Sequence, residues 1–324
     1  ILAMDGDNMG KWLGGENAPR VRDVMHTKLL EYFKGLPGTE NGLNARRLLS
    51  PALHASISEA LTNFAAHIAP GIVEKHKGTL IYSGGDDVLA LLPVCNVLRC
   101  AEELYRAFRG EPGPNFNNGA PSGYYRKDGR DLLVMGEKAT LSAGIAVVHY
   151  KEDLRFALDA ARAAERCAKE SGRNALCLAV CRRSGEHTDA ILGWDYVPQL
   201  QHLVTAFMGT DGASDRWAYH LRAELETLKG LDNEAIKSEI KRQVNRAEIE
   251  TRKKLACDND DKKAGEYLAS KFEQYRKWRE EQANKQKNHA SLEAGDGQTK
   301  TADALQGFIT LCQSASFLAR GRDS

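Results

Sequence analysis

Two short stretches of this sequence bring carboxylates and glycine together in a way that could do chemistry. Asp5-Gly6-Asp7 follows the apolar run Ile1 to Met4, and Gly84-Gly85-Asp86-Asp87 joins the runs Thr79–Ser83 and Val88–Leu92. The first reads as a buried strand whose C-terminal end opens onto a site, the second as a β-hairpin with an acidic tip. If the strand lies beside the hairpin, Asp5, Asp86 and Asp87 converge. Carboxylates within a few ångströms raise one another's pKa, so such a cluster is comfortable only around a divalent cation. Neither acidic motif contains a basic residue to neutralise it. Oxygen-only ligation at a strand end suits Mg²⁺ or Mn²⁺, which bind through one or two carboxylates plus substrate phosphates, and the substrate expected is a nucleoside triphosphate. Gly84 and Gly85 fit because the turn requires positive φ and because a ligand must approach the backbone closely. A plain surface turn is the competing reading of Gly-Gly-Asp-Asp alone, and the second acidic strand end weighs against it.

The elements that must position these residues follow from periodicity. Ser50 and Pro51 start a helix in which Leu53, Ile57, Leu61, Phe64 and Ile68 share a face; after the hairpin, Pro93 opens another with Val97, Ala101, Leu104 and Phe108. Residues 110–136 are rich in Gly, Pro and Asn and read as a long loop or small insertion. Leu141–His149 reads as a strand, Glu152–Ser171 as an alanine-rich helix ended by Gly172, and Asn174–Cys181 as a last strand. The order is βαββαβαβ. Strand-like runs fade after Arg182-Arg183-Ser184-Gly185, which places a boundary there: residues 1–184 form one domain and 185–324 an all-α bundle, with Ile236, Ile240, Val244 and Ala247 on one stripe, a polar loop over His289–Thr301 and a closing helix over Ala302–Leu318. Because Ile1 begins inside a strand, further sequence is expected before it.

Composition narrows the class. Of 324 residues, 42% are apolar and 27% charged, which argues against disorder and small disulfide scaffolds, and a formal net charge of +1 excludes the global field of a protein that wraps duplex nucleic acid. No apolar run approaches the length of a membrane span and the first residues lack the basic region and apolar run of a signal peptide, so a cytoplasmic location is expected. Cysteines 95, 100, 167, 177, 181, 257 and 312 show no C-x-x-C spacing and read as reduced thiols, with Cys177 and Cys181 on one strand face. Lys237, Lys241, Arg242 and Arg246 alternate with Glu234, Glu239, Glu248 and Glu250, the pattern of a salt-bridged solvent face rather than an RNA contact; Tyr275 and Trp278 could pack there.

Taken together, Asp5-Gly6-Asp7-Asn8-Met9-Gly10, the S-G-G-D-D-V-L-A-L run at 83–91, L-S-A-G-I-A at 141–146 and A-K-E-S-G-R-N at 168–174 resemble the palm-type cyclase domain shared by diguanylate cyclases and the large subunit of type III CRISPR effector complexes, particularly the III-B (Cmr) branch. Diguanylate cyclases carry G-G-[DE]-E-F, whereas Asp87 and Val88 stand at the last two positions here. The resemblance implies an α+β, ferredoxin-like palm followed by a helical domain. It implies that Asp5 and Asp87 are metal ligands with the Gly6 carbonyl alongside and Asp86 completing the tip, and leaves Asp7 open. It also implies that the backbone amides of Asn8, Met9 and Gly10, together with Lys169, hold triphosphate oxygens. A solvated helix-end lysine is the alternative for Lys169, and a structural helix ending the alternative for Arg173-Asn174.

The reaction so implied is condensation of ATP into cyclic oligoadenylates with two Mg²⁺ or Mn²⁺ ions, inside a complex of other effector subunits, CRISPR RNA and target RNA. No His or Ser nucleophile is needed, and no P-loop, His-Asp nuclease motif or zinc-binding cysteine set occurs. Related enzymes place ATP between two palms, so this stretch is expected to supply half of a composite site. The alternatives are a diguanylate or adenylate cyclase and a catalytically silent, nucleotide-binding scaffold palm.

Overall fold

Alternation of apolar residues on both faces produces a six-stranded sheet in the order β2-β3-β1-β6-β7-β8, with a separate hairpin β4-β5. The strands are β1 (Leu2–Gly6), β2 (Thr79–Ser83), β3 (Val88–Leu91), β4 (Tyr124–Lys127), β5 (Arg130–Leu133), β6 (Leu141–Val147), β7 (Ala175–Cys181) and β8 (His187–Gly193). The helices that matter below are α1 (Met9–Leu13), α2 (Pro51–Thr62), α3 (Ala69–Lys75), α4 (Val97–Arg109), α5 (Leu154–Glu170), α6 (Val197–Phe207), α7 (Arg216–Ala223), α8 (Asn233–Asn245), α9 (Ile249–Leu255), α10 (Ala264–Lys287) and α11 (Gly297–Arg320). This computed structural model describes residues 1–112, 116–209, 211–228, 230–256, 258, 260–287 and 297–320.

Strand β1 is central, pairing antiparallel with β3 and with β6, while β6 and β7 are parallel and joined by α5. Leu2 and Met4 point into the main core with Val88, Ala90, Leu141, Ala143 and Ile145, under Phe64, Ile68, Leu104 and Phe108. The opposite face carries small residues: Ala3 and Ala146 meet Ala160 and Ala161 of α5. A Cβ on Gly144 would lie 2.2 Å from the Glu165 backbone nitrogen and 2.3 Å from the Ala161 carbonyl oxygen, so glycine at this point of β6 is what lets α5 settle onto the sheet. Because side chains alternate along a strand, Asp5 shares the face of Ala3 and is turned toward α5.

The α+β architecture and the predicted strand and helix order are present, with local differences. Ser50 caps α2 by accepting from the Leu53 amide at 3.2 Å, but the long helix widens to a π-turn over Asn63–Ile68 before α3. Helix α4 starts at Val97, after a turn whose Asn96 and Val97 amides donate to Pro93. The Gly-rich insertion folds into β4 and β5.

The expected boundary at 184/185 falls inside a hairpin. Arg182-Arg183-Ser184-Gly185 is a turn, with Gly185 at φ 84° and the Arg182 amide donating to Glu186, and β8 follows as an edge strand paired along all of β7. Its polar outward residues His187 and Asp189 disguise it. The helices from α6 onward then close over the sheet in one continuous core: the Trp194 indole donates to the Leu141 carbonyl, and the Tyr275 hydroxyl to that of Ile191. Tyr275 is therefore core rather than surface, and Trp278 packs on Gly193. Lys237, Lys241 and Arg242 pair with Glu234, Glu266 and Glu239, a salt-bridged face as the charge pattern indicates. Helix α11 begins at Gly297, five residues before the expected start, and the rest of the expected loop, residues 289–296, lies outside the described residues, as does Cys257. None of the other six cysteines is in a disulfide; Cys177 is fully buried and Cys181 half-buried.

Candidate metal centre

The antiparallel β1-β3 pairing aligns Met4 with Val88, so the C-terminal end of β1 and the hairpin tip lie side by side. There Asp5, Asp86 and Asp87 each offer a carboxylate oxygen within 4.8 Å of the other two. Gly6 makes this approach possible. A Cβ on it would lie 2.5 Å from the Asp86 carboxylate and 2.8 Å from Cγ of Met9. At the tip, Gly85 has φ 99°, whereas Gly84 has no positive φ, and a Cβ there would meet only the outer end of the exposed Tyr82 ring. The expectation that both glycines need left-handed backbone is corrected to Gly85 alone.

Electrostatics fit a cation. A hydrogen bond shared with Asp5, then burial, then the neighbouring carboxylates push Asp87 up to about 7. Burial likewise raises Asp86, against the hydrogen bonds from backbone amides, including that of Gly6. Carboxylates that raise one another's pKa in this way favour a bound cation, and an all-oxygen donor set matches Mg²⁺ or Mn²⁺. Lys169, near the end of α5, reaches across the small-residue face to form an ion pair with Asp5 and lies 2.9 Å from Glu165. Burial pulls its pKa down, yet the two carboxylates outweigh burial and hold the ammonium above its usual range. The solvated-lysine reading of Lys169 is thereby set aside.

Asp7 is not part of the cluster. It is 2% exposed and accepts from the Thr140 and Ser142 hydroxyls at 2.7 Å each and from the Asn174 amide at 2.9 Å. Arg173 and Asn174 both have positive φ, so the end of α5 turns sharply and presents the Asn174 amide to Asp7, while the Asn174 side chain accepts from the Tyr105 hydroxyl. This tetrad of Asp7, Thr140, Ser142 and Asn174 escapes sequence reasoning, as does Glu165; only the i,i+4 spacing of Glu165 and Lys169 hints at the latter. After Asp7 the chain takes a left-handed step at Asn8, φ 56°, and starts α1, so the Met9 and Gly10 amides begin a helix and lack intrahelical acceptors. Space beside Gly10 is open.

Comparison with known proteins now bears on this geometry. The family model for the Cas10/Cmr2 second palm domain matches residues 1–177. The chain belongs to the Cas10/Cmr2 family. It is 33% identical over 264 residues to the CRISPR system Cmr subunit Cmr2 of Pyrococcus furiosus, an alignment covering 79% of this chain and 27% of that protein. It is 36% identical over 118 residues to the CMR subunit Cmr2 of Saccharolobus solfataricus, covering 35% and 11% of the two. The fold is shared with a chain of the type III-B Cmr-β complex bound to cognate target RNA, at TM-score 0.55 and 16% identity, covering 82% of this chain and 36% of that one. This Cas10/Cmr2 chain thus spans about a quarter of its Pyrococcus relative. No helix among the described residues is long and apolar enough to cross a membrane.

Proposed function

We propose that this chain carries the nucleotidyl-transfer centre of a type III-B effector complex and condenses ATP into cyclic oligoadenylates when target RNA is bound. The observation that carries this reading is the convergence of Asp5, Asp86 and Asp87 within 4.8 Å beside the cation Lys169. Asp5, Asp87 and the Gly6 carbonyl would hold two Mg²⁺ or Mn²⁺ ions, with Asp86 completing the set. Such ions, when bound, lower the pKa of an attacking 3′-hydroxyl and neutralise the departing pyrophosphate. The chain's own part is positional. Met9 and Gly10 amides, at the start of α1 after the left-handed Asn8, present donors to triphosphate oxygens. Lys169 supplies a mobile positive charge from the other side of β1. Asp7 fixes the turn that aims these amides. Gly84 and Gly85 leave the tip free of side chains where the substrate passes. Effector subunits, CRISPR RNA and target RNA are the partners of this reading; membership in the Cas10/Cmr2 family supports it.

The test is incubation of the full-length subunit in its effector complex with target RNA and either ATP or GTP, with Mg²⁺ or Mn²⁺, and identification of products by mass. Cyclic oligoadenylates from ATP, abolished by Asp86→Ala with Asp87→Ala, are expected. Undiminished product from the double variant would overturn the assignment.

A further inference from the structure

The ion pair between Lys169 and Asp5 poses a problem for any metal at this site. A divalent cation on one Asp5 oxygen would repel an ammonium held on the other about as strongly as Asp5 attracts that ammonium, since it carries twice the charge at roughly twice the distance. Metal binding therefore loosens Lys169 from Asp5, and a lysine on a four-carbon stem is then free to swing to solvent unless something else holds it. Glu165 stands where such a holder is needed. It lies one helical turn before Lys169 with the carboxylate 2.9 Å from Nζ, the favoured order for a Glu and Lys pair on a helix. Its side chain is 16% exposed, and its backbone nitrogen is seated against Gly144 of β6, so the anchor itself is rigid. Among the described residues Lys169 is the one cation within 4 Å of it.

Resting on the metal reading above, we infer that Glu165 is a positioning residue: it retains the Lys169 ammonium at the site when a divalent cation displaces it from Asp5, leaving it free to turn to substrate phosphates. Two consequences separate this from a merely structural role. In the metal-free protein Glu165 draws the ammonium partly away from Asp5 and so eases metal entry; with nucleotide bound it limits where the ammonium goes.

The experiment is a Mn²⁺ titration of the full-length subunit without nucleotide, followed by electron paramagnetic resonance of free Mn²⁺, for the parent, Glu165→Ala, Lys169→Met and the double variant. Lys169→Met should tighten Mn²⁺ binding, roughly three- to tenfold, by removing the competing cation. Glu165→Ala should weaken it by a similar factor when Lys169 is present and leave it unchanged in the Lys169→Met background. In turnover assays Glu165→Ala should raise KM for ATP about tenfold with a smaller change in kcat, and Glu165→Gln, which keeps an acceptor oxygen, should restore KM to within about threefold. An equal effect of Glu165→Ala in both backgrounds, or none with Lys169 present, overturns the inference alone. Failure of all four proteins to bind Mn²⁺ overturns the metal reading and this inference with it.

Discussion

Replacing Asp7 by alanine tests the division of labour within Asp5-Gly6-Asp7. The Asp7 carboxylate accepts hydrogen bonds from Thr140, Ser142 and the Asn174 amide, and both Asp7 and Ser142 are sealed from water. A hydrogen bond to a charged group contributes about 1.5–3 kcal/mol, and a buried donor left without an acceptor costs about 1–3 kcal/mol. Part of that is returned because the buried charge no longer has to be desolvated, which leaves a net loss of about 3–5 kcal/mol. At roughly 2–3 °C per kcal/mol for a chain of this size, the melting temperature should fall by about 6–15 °C. Metal affinity should stay within about threefold of the parent, since the Asp7 carboxylate is taken up by Thr140, Ser142 and the Asn174 amide rather than by the cluster. Thermal melts in EDTA and Mn²⁺ titration below the melting temperature measure both. A variant that melts within 2 °C of the parent, or one that remains folded yet has lost Mn²⁺, would refute the clamp.

Asp86→Ala with Asp87→Ala should give the opposite pattern: turnover down by roughly a thousandfold or more, and metal-free stability level or slightly raised. Each removed like-charge contact relieves about 1 kcal/mol in a water-like environment, against a turn bond of similar size, so unfolding before activity is measurable would contradict it. With Asp87 held at about 7, one proton must leave for metal to bind, so Mn²⁺ affinity should weaken about tenfold per pH unit below 7 and level off above it; a flat profile from pH 5 to 8 would count against the shared proton. The same raised pKa means that between about pH 4 and 7 the folded chain holds a proton that the unfolded chain has released, so stability in EDTA should decline as pH rises through that window, and a rise attributable to Asp87 would oppose the assignment. Gly144→Ala should cost about 3 kcal/mol or more, read as a lowered melting temperature, because the new Cβ meets backbone of α5 rather than a side chain that could move aside.

What could be read from sequence depended on how locally each feature is encoded. Asp5, Asp86 and Asp87 were legible because each ends an apolar run, and a strand end beside a hairpin tip leaves carboxylates little choice but to meet. Lys169 rested on resemblance to known palms. Asp7 was not legible, since its partners lie more than 130 residues away and a single aspartate gives no sign of whether it faces metal or hydroxyls. Strand β8 was obscured because its first three residues, His187, Thr188 and Asp189, are polar, which leaves an apolar run of only Ala190, Ile191 and Leu192 to signal a strand. Gly84 was read as needing left-handed backbone, but only Gly85 takes it, because the pattern Gly-Gly does not say which of the two residues turns the chain.

The tripeptide at the end of β1 shows why these requirements are inseparable. Asp5 projects toward α5, where Lys169 pairs with it. Gly6 projects the other way and, having no side chain, admits Asp86. Asp7, beyond the last β1-β6 register pair Gly6 and Leu141, locks onto the rim of β6 and the turn after α5. Alternation sets Gly6 apart from the two aspartates, and the end of the β1-β6 pairing sets Asp7 apart from Asp5, so a shift of one residue would exchange the roles at once. An aspartate at position 6 would strike the hairpin, and a glycine at position 7 would leave Ser142 and the Asn174 amide without their acceptor. The close packing of α5 at Gly144 completes the argument: Glu165 and Lys169 reach the same strand end only because the helix axis comes this near the sheet. Position along β1, rather than the number of acidic residues in the motif, decides which carboxylate is available to a metal.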